Sequence, residues 1–362
     1  MKNLLIILLV CLTTVIFSQT DSIQLIQPTG KYPVGTMIYA WTDNTREIQL
    51  TSHKGDKRKI NVQLWYPAKI DSHSIRAPYS ALSKDYSKVQ TNSYLRPSFH
   101  EEIESSNLII FSPGRGTERF LYTTIIEELA SHGYIVASVD MPHIGYVVYQ
   151  DGLVLKPSLK FKPPGGMMGG PYEKVDKFFE EPTELGFEDL KFAYHKILEL
   201  NTSDPNIRFT KKINLQSIGL FGHSLGGRIA GKFVIENKNV KAYISMEGIP
   251  PREIRYEGKI NIPIAMLCSS GTWPYAKENY FSLINNRSSP VYMIELIGFG
   301  HNSVTDNPFI YPESFNYGID AKLALQISRE IVLNYFKSIF HNEKNFGSSF
   351  SNLEQIKFKE YK

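Results

Sequence analysis

The chain has 362 residues, of which 42% are hydrophobic, 12% aromatic and 21% charged. This composition is that of a globular protein with a full core, and it excludes a disordered, collagen-like or coiled-coil chain. The 40 lysine and arginine residues against 36 acidic ones leave a formal net charge of +4. That charge is too small, and too little clustered, to indicate a nucleic-acid partner.

Residues 1–18 differ from the rest of the chain. Lys2 precedes an apolar run over residues 4–10, and the small Ser18 ends the segment. This pattern is typical of a cleaved signal peptide, and we expect an exported protein, secreted or periplasmic. The alternative is a single membrane anchor, but a span needs about 20 apolar residues. Cleavage would leave Cys268 as the only cysteine, so we expect neither an intrachain disulfide nor a thiolate metal site.

The segment after residue 18 shows short β-like runs. Residues 36–41, 47–51 and 60–66 predict antiparallel strands, because β-favouring residues there approach an alternation of apolar and polar positions. Residues 69–105 are polar and rich in serine. Because they lack a clean period, they predict a long surface connection.

From residue 107 onward, apolar runs alternate with helical patterns. The runs lack polar alternation, as expected of strands covered by helices on both faces. Strands are predicted at 108–111, 134–139, 217–221, 242–246, 262–267 and 291–297, and helices near 121–129, 190–200, 225–236 and 319–340. This order predicts an α/β fold with a mostly parallel central sheet and an antiparallel N-terminal part. We assign residues 19–345 to a single domain and 346–362 to a polar C-terminal tail.

An insertion over residues 141–184 interrupts the alternation. Residues 146–155 predict a hairpin that turns at Asp151 and Gly152, and the glycine-rich residues 163–170 favour neither helix nor strand. An insertion after a sheet strand lies near the carboxyl edge of the sheet, where ligands bind in open α/β folds. We therefore consider a lid over a substrate site, with an uninvolved surface loop as the alternative.

The most informative motif is Gly-His-Ser-Leu-Gly at residues 222–226, between a predicted buried strand and an amphipathic helix. This is the pattern of a nucleophile elbow, in which a serine occupies a sharp strand-to-helix turn. The two flanking glycines remove side chains that would collide at such a turn. We therefore predict Ser224 as a nucleophile, and the alternative is a tight structural turn.

A serine hydroxyl needs a base, and in this type of site the histidine follows the last strand. His301 lies in a glycine-containing loop directly after the predicted strand 291–297. It is the best placed of the nine histidines, because the others fall upstream of the elbow, in polar loops or on helix patterns. His223 adjoins the serine, but we expect it to point elsewhere on the turn.

The acid that orients the histidine is harder to assign. In many such sites it follows the strand before the histidine strand, but residues 268–272 contain no carboxylate. Glu247 follows the strand one earlier and should lie at the same sheet edge as Ser224, so we predict it as the acid. The alternatives are that Glu247 is an exposed loop residue or that Glu278 takes the role.

Acyl transfer also needs backbone donors for the oxyanion. One donor should be the N–H of Leu225, directly after the nucleophile, and the other should come from the turn after the early strand 108–111. We predict the N–H of Arg115 for the second, because Arg115 follows Gly114 in a turn with little side-chain bulk.

Several segments resemble the secreted platelet-activating factor acetylhydrolase family, also called lipoprotein-associated phospholipase A2, with its bacterial relatives. They are residues 28–36, 62–68, 111–116 and 129–137, the elbow at 222–226, and Gly300-His301. The resemblance implies an α/β-hydrolase fold and agrees with an acid at position 247, where the family more often has aspartate. Pro113 stands where the family more often has a histidine.

The resemblance further implies calcium-independent hydrolysis of ester bonds, with short or oxidised acyl groups at the second position of a phospholipid as substrates. We expect a serine esterase that needs no cofactor or metal, acts on a small-molecule or lipid ester, and could contact lipid surfaces transiently. The alternatives are a general carboxylesterase or polyester hydrolase, an acyltransferase with the same triad, and a hydrolase-like binding protein without activity.

Overall fold

A computed structural model describes residues 22–48, 54–80, 86–169, 172–285, 287–343, 346–348, 350 and 352–361. The predicted signal peptide lies outside these residues, as does most of the strand predicted at 47–51. Within them, no helix is long and apolar enough to cross a membrane.

The strands fall into two sheets. Their bounds are β1 Ile23–Gln24, β2 Val34–Glu47, β3 Lys57–Lys69, β4 Arg76–Pro78, β5 Val89–Leu95, β6 Ser98–Phe99, β7 Ser106–Ser112, β8 Ile135–Val139, β9 Val147–Val148, β10 Val154–Leu155, β11 Ile213–His223, β12 Val240–Met246, β13 Ile264–Ser269, β14 Val291–Leu296 and β15 Ile356–Tyr361. The large sheet has the order β1-β5-β2-β3-β8-β7-β11-β12-β13-β14-β15, while β4 pairs with β5 and β6 with β3. The pair β9-β10 forms a separate hairpin.

The central part of the large sheet is parallel. Every neighbouring pair from β8 through β14 in the sheet order is parallel, whereas β2 pairs antiparallel with β3, and β3 with β8. The predicted fold class is therefore confirmed: a mostly parallel central sheet with antiparallel strands in its N-terminal part.

Helices cover both faces of this sheet. Their bounds are α1 Thr123–Ser131, α2 Tyr172–Thr202, α3 Leu225–Glu236, α4 Arg252–Glu257, α5 Trp273–Phe281, α6 Asn307–Ile310 and α7 Ala321–Phe340. Leu220 packs in one hydrophobic cluster with residues of α2 and α3, and the next residue, Phe221, packs in the other with residues of α1 and α7. Because both faces are buried, the central strands are apolar without alternation.

The prediction of a surface connection over residues 69–105 is wrong. This segment contains β4, β5 and β6, and β5 lies between β1 and β2 in the large sheet. Asn92 and Ser93 of β5 are buried, and both donate hydrogen bonds to the buried carboxylate of Glu127 in α1. The buried side chains of β5 are polar and have hydrogen-bond partners, so the sequence of this strand lacks the apolar alternation that would have identified it.

Two further segments carry more structure than we predicted. The hairpin in the insertion is confirmed as β9 and β10, but residues 167–169 form a short 3-10 helix, and α2 begins at Tyr172, inside the insertion. The segment from residue 346, predicted as a tail, contributes β15, which pairs antiparallel with β14 at the sheet edge. Ile356 of β15 is buried in the core, and Phe358 packs against it.

Candidate active site

A cavity of about 350 Å³ opens at the carboxyl edge of the parallel strands. The five predicted site residues all line it: Arg115, Ser224, Leu225, Glu247 and His301. The insertion over 141–184 and the residues around the elbow supply other parts of the lining, among them Pro163, Met168, Val175, Phe179, Arg228, Gly248 and Ile249. The insertion thus borders the site, while its movement as a lid stays a prediction.

Strand order explains why residues distant in sequence meet here. The neighbouring strands β7, β11 and β12 end side by side, with Gly222 in register with Ser112 and His223 in register with Met246. The turn with Arg115, the elbow with Ser224 and the residue Glu247 therefore start from adjacent positions at one edge. The loop after β14 brings His301 to the same edge.

The elbow has the strained backbone that its sequence predicts. Ser224 has φ 54° and ψ −124°, a region that residues other than glycine rarely adopt. A Cβ atom at Gly222 would overlap the carbonyl oxygen of Gly226, and one at Gly226 would overlap that of Ser112. The two glycines therefore allow the turn to close tightly, and Ser224 stands immediately before the N-terminus of α3.

Glu247 and His301 form a pair. The carboxylate Oε2 of Glu247 lies 3.3 Å from Nδ1 of His301. Glu247 is 5% exposed, whereas the His301 side chain is 44% exposed and faces the cavity. Glu247 also has a positive φ of 55°, which places a second strained residue beside the elbow.

The Ser224 hydroxyl makes no hydrogen bond with the His301 ring in the part of the chain that the structure describes. Both side chains line the same cavity, and the separation of such pairs often shortens only when substrate is bound. The arrangement can perform nucleophilic catalysis if the exposed imidazole approaches the hydroxyl. The roles of Ser224, Glu247 and His301 therefore stay predictions, as do the backbone donors Arg115 and Leu225.

Glu278, the alternative acid, is exposed on α5. It faces Tyr172 at the start of α2 and is not among the residues that line the cavity. The structure therefore brings Glu247, and not Glu278, to the histidine.

Sequence reasoning missed the residues that hold Glu247. The backbone N–H and the hydroxyl of Ser269 donate to its carboxylate, and the Thr272 hydroxyl donates to Oε2 at 2.6 Å. Ser269 ends β13 and Thr272 follows it, at the strand end where many such sites carry the acid. The sequence shows that residues 268–272 contain no carboxylate. It does not show that Ser269 and Thr272 donate hydrogen bonds to Glu247.

A second missed feature is a buried network under the site. His223 is 1% exposed; its Nε2 lies 2.8 Å from the carbonyl oxygen of His301, and its Nδ1 lies 2.8 Å from the hydroxyl of Tyr122. Burial holds the pKa of His223 well below its usual value, so the ring is neutral at physiological pH. Since a carbonyl can only accept, Nε2 carries the proton, and Nδ1 accepts from Tyr122.

Tyr122 extends this network to the turn that holds Arg115. Its hydroxyl accepts the N–H of Gly114 at 3.2 Å and lies 3.1 Å from the Thr117 hydroxyl. His223 was expected to point away from the site, and it does point below the cavity. It nevertheless ties the elbow to the His301 loop, so we regard it as a positioning residue.

The described residues contain no group of three or more His, Cys, Asp or Glu side chains that could hold a metal ion. Cys268 is buried and forms no disulfide among the described residues. Burial raises the pKa of its thiol, which disfavours the thiolate.

Comparison with known proteins agrees with this fold. A sequence model of the family described as platelet-activating factor acetylhydrolase, isoform II, matches residues 17–143, so the predicted resemblance is confirmed over that part. A probable 1-alkyl-2-acetylglycerophosphocholine esterase from Arthroderma benhamiae is 25% identical over 150 residues. These residues are 41% of this chain but only 33% of that protein, so the match spans about a third of the length of this relative.

A solved structure supports the architecture across nearly the whole chain. The ferulic acid esterase from Streptomyces cinnamoneus superposes with a TM-score of 0.73 at 22% identity, covering 93% of this chain and 99% of that one. At this identity the likeness bears on the fold alone. Together with the sheet order, it confirms the predicted α/β-hydrolase fold.

Proposed function

We propose that this α/β-hydrolase-fold protein is a serine esterase that hydrolyses carboxylic esters through an acyl-enzyme. The observation that carries the proposal is the cavity in which Ser224, on a strained elbow, faces the pair of His301 and Glu247. A strained serine, an exposed imidazole and a buried carboxylate in one cleft are what nucleophilic catalysis by serine requires.

In the proposed mechanism the Ser224 hydroxyl oxygen attacks the ester carbonyl while Nε2 of His301 takes the hydroxyl proton. Glu247 accepts a hydrogen bond from Nδ1 and stabilises the imidazolium that forms. The tetrahedral oxyanion is bound by the N–H groups of Leu225 and Arg115, and the positive end of the α3 dipole adds to this stabilisation.

Collapse of the intermediate expels the alcohol, which takes the proton from His301, and leaves the acyl group on Ser224. A water molecule then attacks the acyl-enzyme as His301 removes its proton. His301 then gives this proton to the Ser224 oxygen as the carboxylic acid leaves, so the enzyme is regenerated without net change.

The substrate class that we propose is that of platelet-activating factor acetylhydrolases: phospholipids with short or oxidised acyl groups. It is supported by the family match over residues 17–143 and by the esterase from Arthroderma benhamiae. A general carboxylesterase or polyester hydrolase is the alternative within the same chemistry. Rates on p-nitrophenyl esters of increasing chain length, beside an oxidised phosphatidylcholine, distinguish them; turnover of water-soluble esters alone contradicts the phospholipid assignment.

A fluorophosphonate probe tests the mechanism directly. We expect labelling at one site, its loss in Ser224→Ala, and its retention in Ser72→Ala, a matched change at an exposed serine. Labelling that persists in Ser224→Ala removes this residue from the mechanism. Absence of labelling and of turnover in the wild-type protein favours a binding protein without activity.

We also propose export, with cleavage after Ser18. The support is the basic and apolar pattern of the first 18 residues. N-terminal sequencing of the protein recovered after expression of the full chain tests this proposal, and an intact N-terminus in the recovered protein contradicts it.

A further inference from the structure

An arginine lines the active-site cavity one helical turn beyond the proposed nucleophile. Arg228 lies four residues after Ser224 on α3, so the two positions are about 6 Å apart along the helix. Arg228 is only 8% exposed. Burial of a guanidinium is costly unless an anion is paired with it, so its partners determine what it can do.

Arg228 shares its carboxylate partner, Asp176, with a second arginine. Its Nη1 donates to Oδ1 of Asp176 in α2 at 2.8 Å, and Nη2 of Arg255 in α4 donates to the same oxygen. Arg255 is 1% exposed and has further acceptors in Asn279 and the carbonyl oxygen of Pro250. Two buried guanidinium groups thus face one carboxylate, and the pair retains an excess of positive charge.

One further donor of Arg228 is not satisfied by the described residues. Its Nε is buried and has no hydrogen-bond partner among the described residues. Burial lowers the pKa of the Arg228 guanidinium because Asp176 offsets only part of the lost hydration. Glu253 also acts on Arg228 electrostatically, but it makes no hydrogen bond to Arg228 among the described residues and lies 3.8 Å from Lys232 of α3, in a neighbouring cleft that Arg228 and Asp176 also line.

The other charged groups of the cavity do not neutralise Arg228. The carboxylate of Glu247 is occupied by His301, Ser269 and Thr272. Arg115 is a second positive side chain in the lining, and its Nε is also buried without a partner among the described residues. A substrate in this cavity therefore meets positive charge and, at Val175, Phe179 and Ile249, apolar surface.

We propose that Arg228, held by Asp176, which Arg255 also binds, binds an anionic group of the substrate, a carboxylate or a phosphate, about one helical turn from the scissile ester. This inference rests on the proposed function, because it assumes that Ser224 attacks the ester. It assigns to the enzyme esters that carry a carboxylate or a phosphate near the scissile bond. Arginine suits this role since its planar donors match both oxyanions.

The test uses Arg228→Met in the full chain, with Lys232→Met as the matched control. Lys232 lies one turn further along α3 and borders only the neighbouring cleft, whereas Arg228 also lines the active-site cavity. Arg228→Met should fold, because Asp176 retains Arg255 as its partner. The substrates are p-nitrophenyl butyrate, which is neutral, p-nitrophenyl hemisuccinate, which carries a carboxylate, and a short-chain phosphatidylcholine, which carries a phosphate.

We expect Arg228→Met to raise KM for at least one anionic substrate by about 10- to 100-fold, as for loss of a charged hydrogen bond. KM for the neutral ester should change by less than about twofold, and Lys232→Met should behave as wild type. The anionic substrate affected identifies the source of the anion. Competitive inhibition by succinate or glycerol 3-phosphate should weaken in parallel.

Equal changes for neutral and anionic esters would show that Arg228 only supports the fold, and unchanged KM for every substrate would show that it binds nothing; both overturn the inference. Neither result affects the proposed function, which fails only if wild-type protein turns over no ester and is not labelled at Ser224.

Discussion

Replacing Tyr122 by phenylalanine tests the network that joins three parts of the site. The change removes one hydroxyl from a fully buried ring. It leaves Nδ1 of His223 without its donor and the N–H of Gly114 without its acceptor. The ring itself keeps its packing against Phe111, so the loss is confined to polar contacts.

The magnitude follows from these two groups. Each buried polar group left without a partner costs about 1–3 kcal/mol, so we expect Tyr122→Phe to lower the free energy of unfolding by about 2–6 kcal/mol. If about half of this loss reflects displacement of the His301 loop and the Gly114 turn, kcat should fall by roughly 5- to 150-fold. Substrate contacts are unchanged, so KM should vary little.

Urea denaturation measures the first quantity, and steady-state hydrolysis of a p-nitrophenyl ester measures the second. Tyr134→Phe is the control, because Tyr134 is 2% exposed and its hydroxyl is buried without a hydrogen-bond partner among the described residues. Its loss should leave stability and kcat close to wild type. Equal effects of the two substitutions would refute the argument, since the cost would then come from removing any buried hydroxyl.

Three further predictions address the acid, the pH dependence and the elbow. Thr272→Val removes the 2.6 Å hydrogen bond that positions the carboxylate of Glu247, so we expect kcat to fall about tenfold with little change in KM. An unchanged kcat would contradict this positioning role of Thr272. Burial raises the pKa of Asp306 to about 7 from 3.8, so ionisation of this carboxyl should lower the free energy of unfolding as pH rises from about 4 to about 7. We therefore expect Asp306→Asn to be more stable than wild type by up to about 4 kcal/mol above pH 7, and almost equally stable at pH 4. Urea unfolding at several pH values measures this difference, and a difference independent of pH refutes the assignment. Gly222→Ala should lower the free energy of unfolding by more than about 3 kcal/mol, because the added Cβ would overlap backbone atoms. Gly165→Ala is the control, because its added Cβ would meet open space and should leave the melting temperature nearly unchanged. Similar losses of stability for both variants would show that the elbow tolerates a side chain.

Local sequence patterns predicted the parallel core of the fold. The strands of the parallel core and the helices α1, α3 and α7 were located to within a few residues, because each buries an apolar segment against its neighbours. Helix α2 begins at Tyr172, well before the predicted start near residue 190, and α4, α5 and α6 were not predicted. The elbow was equally visible, since its glycines are required by contacts within a few residues of Ser224. Such features depend on contacts between residues that are near each other in the chain, so a single sequence is enough to predict them.

The edges of the sheet could not be predicted in this way. Strand β5 consists largely of polar residues, and its burial depends on Glu127, which is distant in sequence. Strand β15 pairs with β14 and packs Ile356 and Phe358 against the core. The polar residues of β5 leave no hydrophobic period, and the apolar alternation of β15 covers only these two positions, so the segments were assigned to a connection and a tail.

The sequence by itself determined which residue types were available for the chemistry: one serine on an elbow, one histidine after the last parallel strand, and a glutamate after the strand beside the elbow. Only the tertiary structure decided which carboxylate meets His301, that Ser269 and Thr272 hold it, and that Arg228 faces the same cavity as Ser224. The physical reason is that these contacts join chain segments through the sheet order and the covering helices, whereas sequence patterns report mainly on neighbours along the chain.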